Sequence, residues 1–111
     1  MGNEKAGATK YPGAVEKVLY LLFAATQGGA MRTRVIEAIR EAPRNANQLR
    51  EHLGVDYRTV THHLKILEKD NMVVGVGERY GRVYFLSQVL EEYYPAFVKV
   101  AVAKREAKGE G

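Results

Sequence analysis

Leu53-Gly54-Val55-Asp56-Tyr57 leaves three residues between two apolar runs of helical spacing, Leu49 and Leu53 before it and Val60, Leu64 and Leu67 after it. A glycine can end a helix in the left-handed conformation that other residues avoid. An aspartate two residues later can accept the free amides of the next first turn. Asn45 or Asn47 can cap the earlier helix in the same way, so the segment reads as two helices joined by a very short turn.

The neighbouring stretches extend this unit. From Ala30, Val35, Ile36 and Ile39 fall on one side of a helix that ends before Pro43, with Arg32, Arg34, Glu37 and Arg40 elsewhere. From Met72 the residue types change: Val73, Val74 and Val76, then Val83, Tyr84, Phe85 and Leu86, flank Gly77-Glu78-Arg79-Tyr80-Gly81-Arg82, the pattern of a β-hairpin. Upstream, Pro12 can open a helix carrying Val15, Val18, Leu19, Leu22 and Phe23 as far as Gln27, before Gly28-Gly29. Downstream, Ser87 can cap a helix bearing Val89, Leu90, Tyr93, Tyr94, Phe97, Val98 and Val102, which Pro95 must kink or restart. The expected fold is mainly α with a small β-hairpin, a winged helix-turn-helix flanked by N- and C-terminal helices. Its parts are a tail over 1–11, a first helical region over 12–29, the winged unit over 30–86, a last helix over 87–104 and a second tail over 105–111.

Such a unit suits double-stranded DNA, because a helix fits the major groove while a basic hairpin tip reaches the backbone or the minor groove. The Val60, Leu64 and Leu67 stripe turns Tyr57, Arg58, Thr59, Thr61, His62 and Lys65 outward, and none of these is acidic. Arg58 and His62, one turn apart in the first half of the helix, are the candidates for reading base edges, and Thr59, Thr61 and Lys65 for phosphates. Arg79, Tyr80 and Arg82 at the hairpin tip suit phosphate or minor-groove contact. The chain carries a net charge of +4 with pI near 9.4, and residues 30–86 hold ten Lys/Arg against seven acids. That excess favours a polyanion without demanding one.

Other chemistries find little support. There is no cysteine, so neither a disulfide nor a thiolate metal site can form, in keeping with a reducing cytoplasm. Val18 to Ala25 is too short to cross a membrane. His62 and His63 diverge by about 100° on a helix and do not share an ion easily, so His63 is expected to half-pack against the core and no metal is assigned. No glycine-rich phosphate loop and no nucleophile with a partner is visible, so neither an enzyme nor a cofactor is expected.

Asn47-Gln48-Leu49, Leu53 to Glu68 and Tyr80-Gly81-Arg82-Val83-Tyr84-Phe85 resemble the ArsR-like winged-helix transcriptional regulators, the archaeal members most of all. Thr61, His62 and His63 fall where that family usually carries a Ser-x-His or His-His element in its DNA-reading helix. The resemblance implies a homodimeric regulator, commonly a repressor released by an effector. Leu49-Arg50-Glu51-His52 and Glu91-Glu92-Tyr93-Tyr94 stand where metal-sensing members keep their ligands, so the resemblance does not extend to metal sensing, and no effector is identified. Leu19, Leu22 and Phe23 at one end and Tyr93, Tyr94, Phe97 and Val98 at the other offer more apolar surface than the winged unit needs and are the expected homodimer interface. The alternatives are a winged-helix protein-interaction module and a sequence-indifferent architectural DNA-binding protein.

Overall fold

A computed structural model describes residues 13–110. The 1–11 tail and the helix start at Pro12 lie outside the described residues. The order is α1 (Ala14–Tyr20), a π-helical segment (Leu21–Ala25), α2 (Gly29–Glu41), β1 (Arg44–Asn45), α3 (Ala46–Leu53), α4 (Tyr57–Lys69), β2 (Val73–Val76), a 3₁₀ turn (Arg79–Gly81), β3 (Val83–Leu86), α5 (Gln88–Glu92) and α6 (Tyr94–Glu110). This is the mainly helical winged fold expected from the sequence, with a three-stranded antiparallel sheet where a hairpin was expected.

The caps explain where the helices start and stop. Asn45 Oδ1 accepts the Gln48 amide at 2.8 Å and Gln48 Oε1 accepts the Asn45 amide at 2.8 Å, a reciprocal pair that opens α3. Gly54 closes α3 with φ +71°, and Asp56 Oδ1 accepts the Thr59 amide at 2.7 Å to open α4. Ser87 Oγ, buried, accepts the Leu90 amide and opens α5. At Tyr93 the chain ends α5 and restarts as α6, with Pro95 in its first turn, where the missing N–H costs nothing. Helix α6 continues to Glu110, past the residue-104 boundary read from the sequence, through the good helix formers Arg105, Glu106, Ala107 and Lys108.

Strand β1 was not foreseen. Its two residues pair with β3, Arg44 opposite Tyr84 and Asn45 opposite Val83, while β2 pairs with the other edge of β3 from Val73–Leu86 to Val76–Val83. Two residues carry no periodicity, and β1 exists only because β3 offers a free edge beside the start of α3.

One core runs through the molecule: Leu19 and Phe23, then Val35, Ile36 and Ile39, Leu49, Val60, Leu64 and Leu67, Val73, Leu90 and Phe97. This placement corrects the expected dimer interface. Leu19, Leu22 and Phe23 are 0%, 6% and 0% exposed and Phe97 is 1% exposed, the Phe23 and Phe97 rings meeting edge to face at 4.8 Å inside a single chain. Tyr94 is half-buried, with Arg40 Cζ 3.9 Å above its ring and Phe97 5.0 Å away. Tyr93 is half-buried too. The π-helical segment packs on α2 and the last helix packs on the first helical region, so these side chains cover one another within the chain. The large apolar side chains still exposed on these helices are Tyr20, Leu21, Val98 and Val102.

The end of the first helical region is held by side chains from three places. The last carbonyls of a helix have no partner within it. Here Thr26 Oγ1 donates to the Leu21 carbonyl at 2.7 Å, Arg32 Nε to Leu22 at 2.9 Å and Lys104 Nζ to Ala24 at 3.0 Å. Two of the three donors are cations, the sign that the helix dipole favours at this end.

Candidate nucleic-acid interface

Helix α4 buries Val60, Leu64 and Leu67, and this orientation decides what its other side shows. Tyr57, Arg58, His62 and Lys65 are exposed, and Thr59 and Thr61 half-exposed. Thr61 Oγ1 donates to the Arg58 carbonyl at 3.2 Å. The outward stripe expected from the spacing is therefore present. Asp56 caps the N-terminus of this helix; the hydrogen bonds from Thr59 hold its carboxyl below the usual range, so it stays charged as a cap.

His63 points the other way and is more buried than expected, at 7% exposure. Its Nδ1 lies 3.3 Å from Arg32 Nη1, and Arg32 Nη2 donates to Thr26 Oγ1 at 2.7 Å. Burial first, and the Arg32 charge second, push the His63 pKa below its ordinary 6.5. Neutral His63 can accept from Arg32; protonated His63 could not. Arg32 itself is 6% exposed, and burial lowers its pKa against an opposing pull from Asp70. The sequence reading set Arg32 aside from the buried face of α2, and the structure reverses this. The signal was available: Arg32 precedes Ile36 by four residues and Ile39 by seven, on the same stripe.

The wing tip brings Arg79 and Tyr80 into solvent, Tyr80 at 77% exposure. The Tyr80 ring lies 6.3 Å from that of Tyr57, so the tip stands beside the first turn of α4. Arg79 holds φ +54°, a left-handed conformation that a non-glycine residue adopts only at some cost in strain. Arg82, grouped with these residues in the sequence reading, is engaged elsewhere. Its Nη2 donates to Glu68 Oε2 at 2.6 Å and its Nη1 to the Gly77 carbonyl at 2.8 Å, and the bond to Glu68 raises its pKa further. In this conformation each of its two Nη atoms is already bonded within the protein, while the side chain stays 34% exposed.

The described residues hold no cluster of three or more His, Cys, Asp or Glu side chains placed for a metal ion, and no helix long and apolar enough to cross a membrane. His52 Nε2 comes within 3.7 Å of Glu41 Oε1, a pair that the sequence did not announce, but both side chains are exposed and Glu41 already binds Arg44 at 2.8 Å.

Comparison with protein families places this geometry. The model of the N-terminal domain of the methanogenesis regulatory protein FilR1 matches residues 22–88, more than half of the chain. The chain belongs to the FilR1 N-terminal domain family. The FilR1-type match runs from Leu22 in the π-helical segment to Gln88, the first residue of α5, so the wing and the outward face of α4 lie inside it and α6 lies beyond it. Comparison with curated proteins finds no match. Among solved structures, AbfR of Staphylococcus epidermidis is similar at a TM-score of 0.57 and 18% identity, over 90% of this chain and 68% of that one, a likeness of fold. A FilR1-type winged helix-turn-helix identifies the protein as a transcription regulator.

Proposed function

We propose that the protein is a sequence-specific regulator that binds double-stranded DNA as a homodimer, with α4 in the major groove and the wing tip on the backbone or in the minor groove. The observation that carries the reading is the joint surface of α4 and the wing. Arg58, His62 and Lys65 are exposed on one, Arg79 and Tyr80 on the other, and the Tyr57–Tyr80 approach fixes the two side by side. Arg58 and His62 read base edges; Thr59, Thr61, Lys65 and Arg79 take phosphates. Repression follows in the simplest case, where a bound dimer occludes a promoter, and the likeness of α4 to ArsR-like reading helices supports the same class.

The dimer forms through the faces that the chain does not cover itself, Tyr20 and Leu21 on the first helical region and Val98 and Val102 on α6, which are 57%, 55%, 41% and 42% exposed. Two copies would present two reading helices to half-sites about one helical turn apart.

Selection of bound duplexes from a random pool at near-physiological salt tests the proposal. An enriched inverted repeat is the expected result; tight binding without enrichment would indicate an architectural protein, and no binding an interaction module. On the enriched duplex, Arg58→Ala or His62→Ala should weaken binding by about 1–3 kcal/mol and relax preference at one position.

A further inference from the structure

Arg82 reaches back from the start of β3 to Glu68 on α4, and on the way it bonds the Gly77 carbonyl at the other side of the wing turn. It passes over Gly75 of β2, where a Cβ would collide with the guanidinium, 2.7 Å from Cζ and 2.8 Å from Nη2. Its Cζ lies 5.8 Å from the centre of the Tyr84 ring. The absent side chain at Gly75 therefore opens a path for one guanidinium to tie both strands of the wing to the reading helix. Glu68 follows Thr61 and Lys65 by seven and three residues, at the edge of the outward stripe, where a free carboxylate would repel phosphate.

We infer that Arg82 is a positioning residue: bound to Glu68 and Gly77 across Gly75, it locks the wing against α4, sets where Arg79 and Tyr80 meet DNA, and neutralises Glu68, without touching DNA itself. The DNA half of this inference rests on the proposed function; the lock does not. A fork bonding two groups at once is a geometry that Lys cannot supply. Gly75→Ala is the informative variant, because it keeps the Arg82 charge and displaces only the flexible end of its side chain.

Two measurements separate the lock from the DNA reading. In hydrogen exchange, the amides of Gly81 and Arg82, bonded to the carbonyls of Glu78 and Arg79, should lose protection in Arg82→Gln and in Gly75→Ala while the amides of α4 keep theirs. Unchanged protection of the two wing amides overturns the lock, whatever the protein binds. On the duplex enriched from the random pool, each variant should lose about tenfold in affinity, close to the loss from Arg79→Ala, and add nothing to it in the double variant. If Arg82 contacts phosphate directly, Arg82→Gln and Arg79→Ala will instead be additive, each flattening the salt dependence by about one charge, and Gly75→Ala will bind as well as the parent or better. That pattern overturns the positioning role. A parent protein that binds no duplex refutes the DNA reading, and exchange alone then decides the lock.

Discussion

Replacing Arg32 by Met keeps the stem of the side chain as far as the position of Nε and removes the fork that joins the first helical region to α4. The Leu22 carbonyl loses its donor at 2.9 Å, Thr26 Oγ1 its donor at 2.7 Å and His63 Nδ1 a longer one at 3.3 Å. Two short charged bonds at about 1.5–3 kcal/mol each, less the desolvation that Met does not suffer, give a net loss of about 2–4 kcal/mol. For a domain of this size the melting temperature should fall by roughly 10–20 °C. Thermal unfolding followed by circular dichroism at fixed protein concentration measures it. The same melts carry a second check. His63 has a lower pKa folded than unfolded, so below its ordinary 6.5 the unfolded chain binds the extra proton first. Stability is therefore full above pH 6.5 and falls as the pH drops from there towards the folded value. Arg32 is the second cause of that shift after burial, so Arg32→Met should shrink the acid loss without abolishing it, and Arg32→Lys should preserve more of it while still losing the fork. A Met variant that melts within about 2 °C of the parent, or that loses as much stability in acid, would refute the account.

Asn45→Ala removes the side-chain half of the reciprocal cap on α3 and should cost about 1 kcal/mol in denaturant melts, with the slope unchanged. Phe97→Ala, cut from the buried contact with Phe23, should cost about 3–5 kcal/mol. Val98→Glu, one residue along on the exposed side, should change stability of the protomer by no more than about 0.5 kcal/mol yet give monomers in sedimentation, and a dimer that survives it together with Leu21→Glu would place the interface elsewhere.

What the sequence disclosed was local. Asn45, Gly54, Asp56 and Ser87 act on amides and turns within a few residues, so their roles could be read from spacing, and the two long strands and the outward face of α4 followed from short-range periodicity. What it withheld was relational. An apolar stripe states that a surface will be covered but not by what, so Leu19, Leu22, Phe23 and Phe97 could as well have met a second chain as each other. Arginine is the sharpest case, since its long stem lets the same charge serve opposite ends. Arg32 is drawn into the core by the orphaned Leu22 carbonyl, Arg82 is drawn back by Glu68 over the space at Gly75, and neither partner is close in sequence. β1 depends on a strand 40 residues further on, where Tyr84 lies opposite Arg44, and the π-helical segment has no composition of its own.

These relational contacts converge on α4. The first helical region ends against its own cap Thr26 and donors from α2 and α6, and one of them, Arg32, also holds His63 on α4; at its far end α4 holds the wing through Glu68 and Arg82. A displacement of the first helical region must therefore carry Arg32 and His63 with it, or break either the Arg32 bond to the Leu22 carbonyl at 2.9 Å or its longer contact with His63 at 3.3 Å, and a buried charge loses a neutral partner only at a cost. His62, the next residue to His63 on a rigid helix, moves with it. The surface that faces outward is thus tied to the packing behind it by two guanidinium groups, one buried and one at the wing, rather than by the apolar core alone.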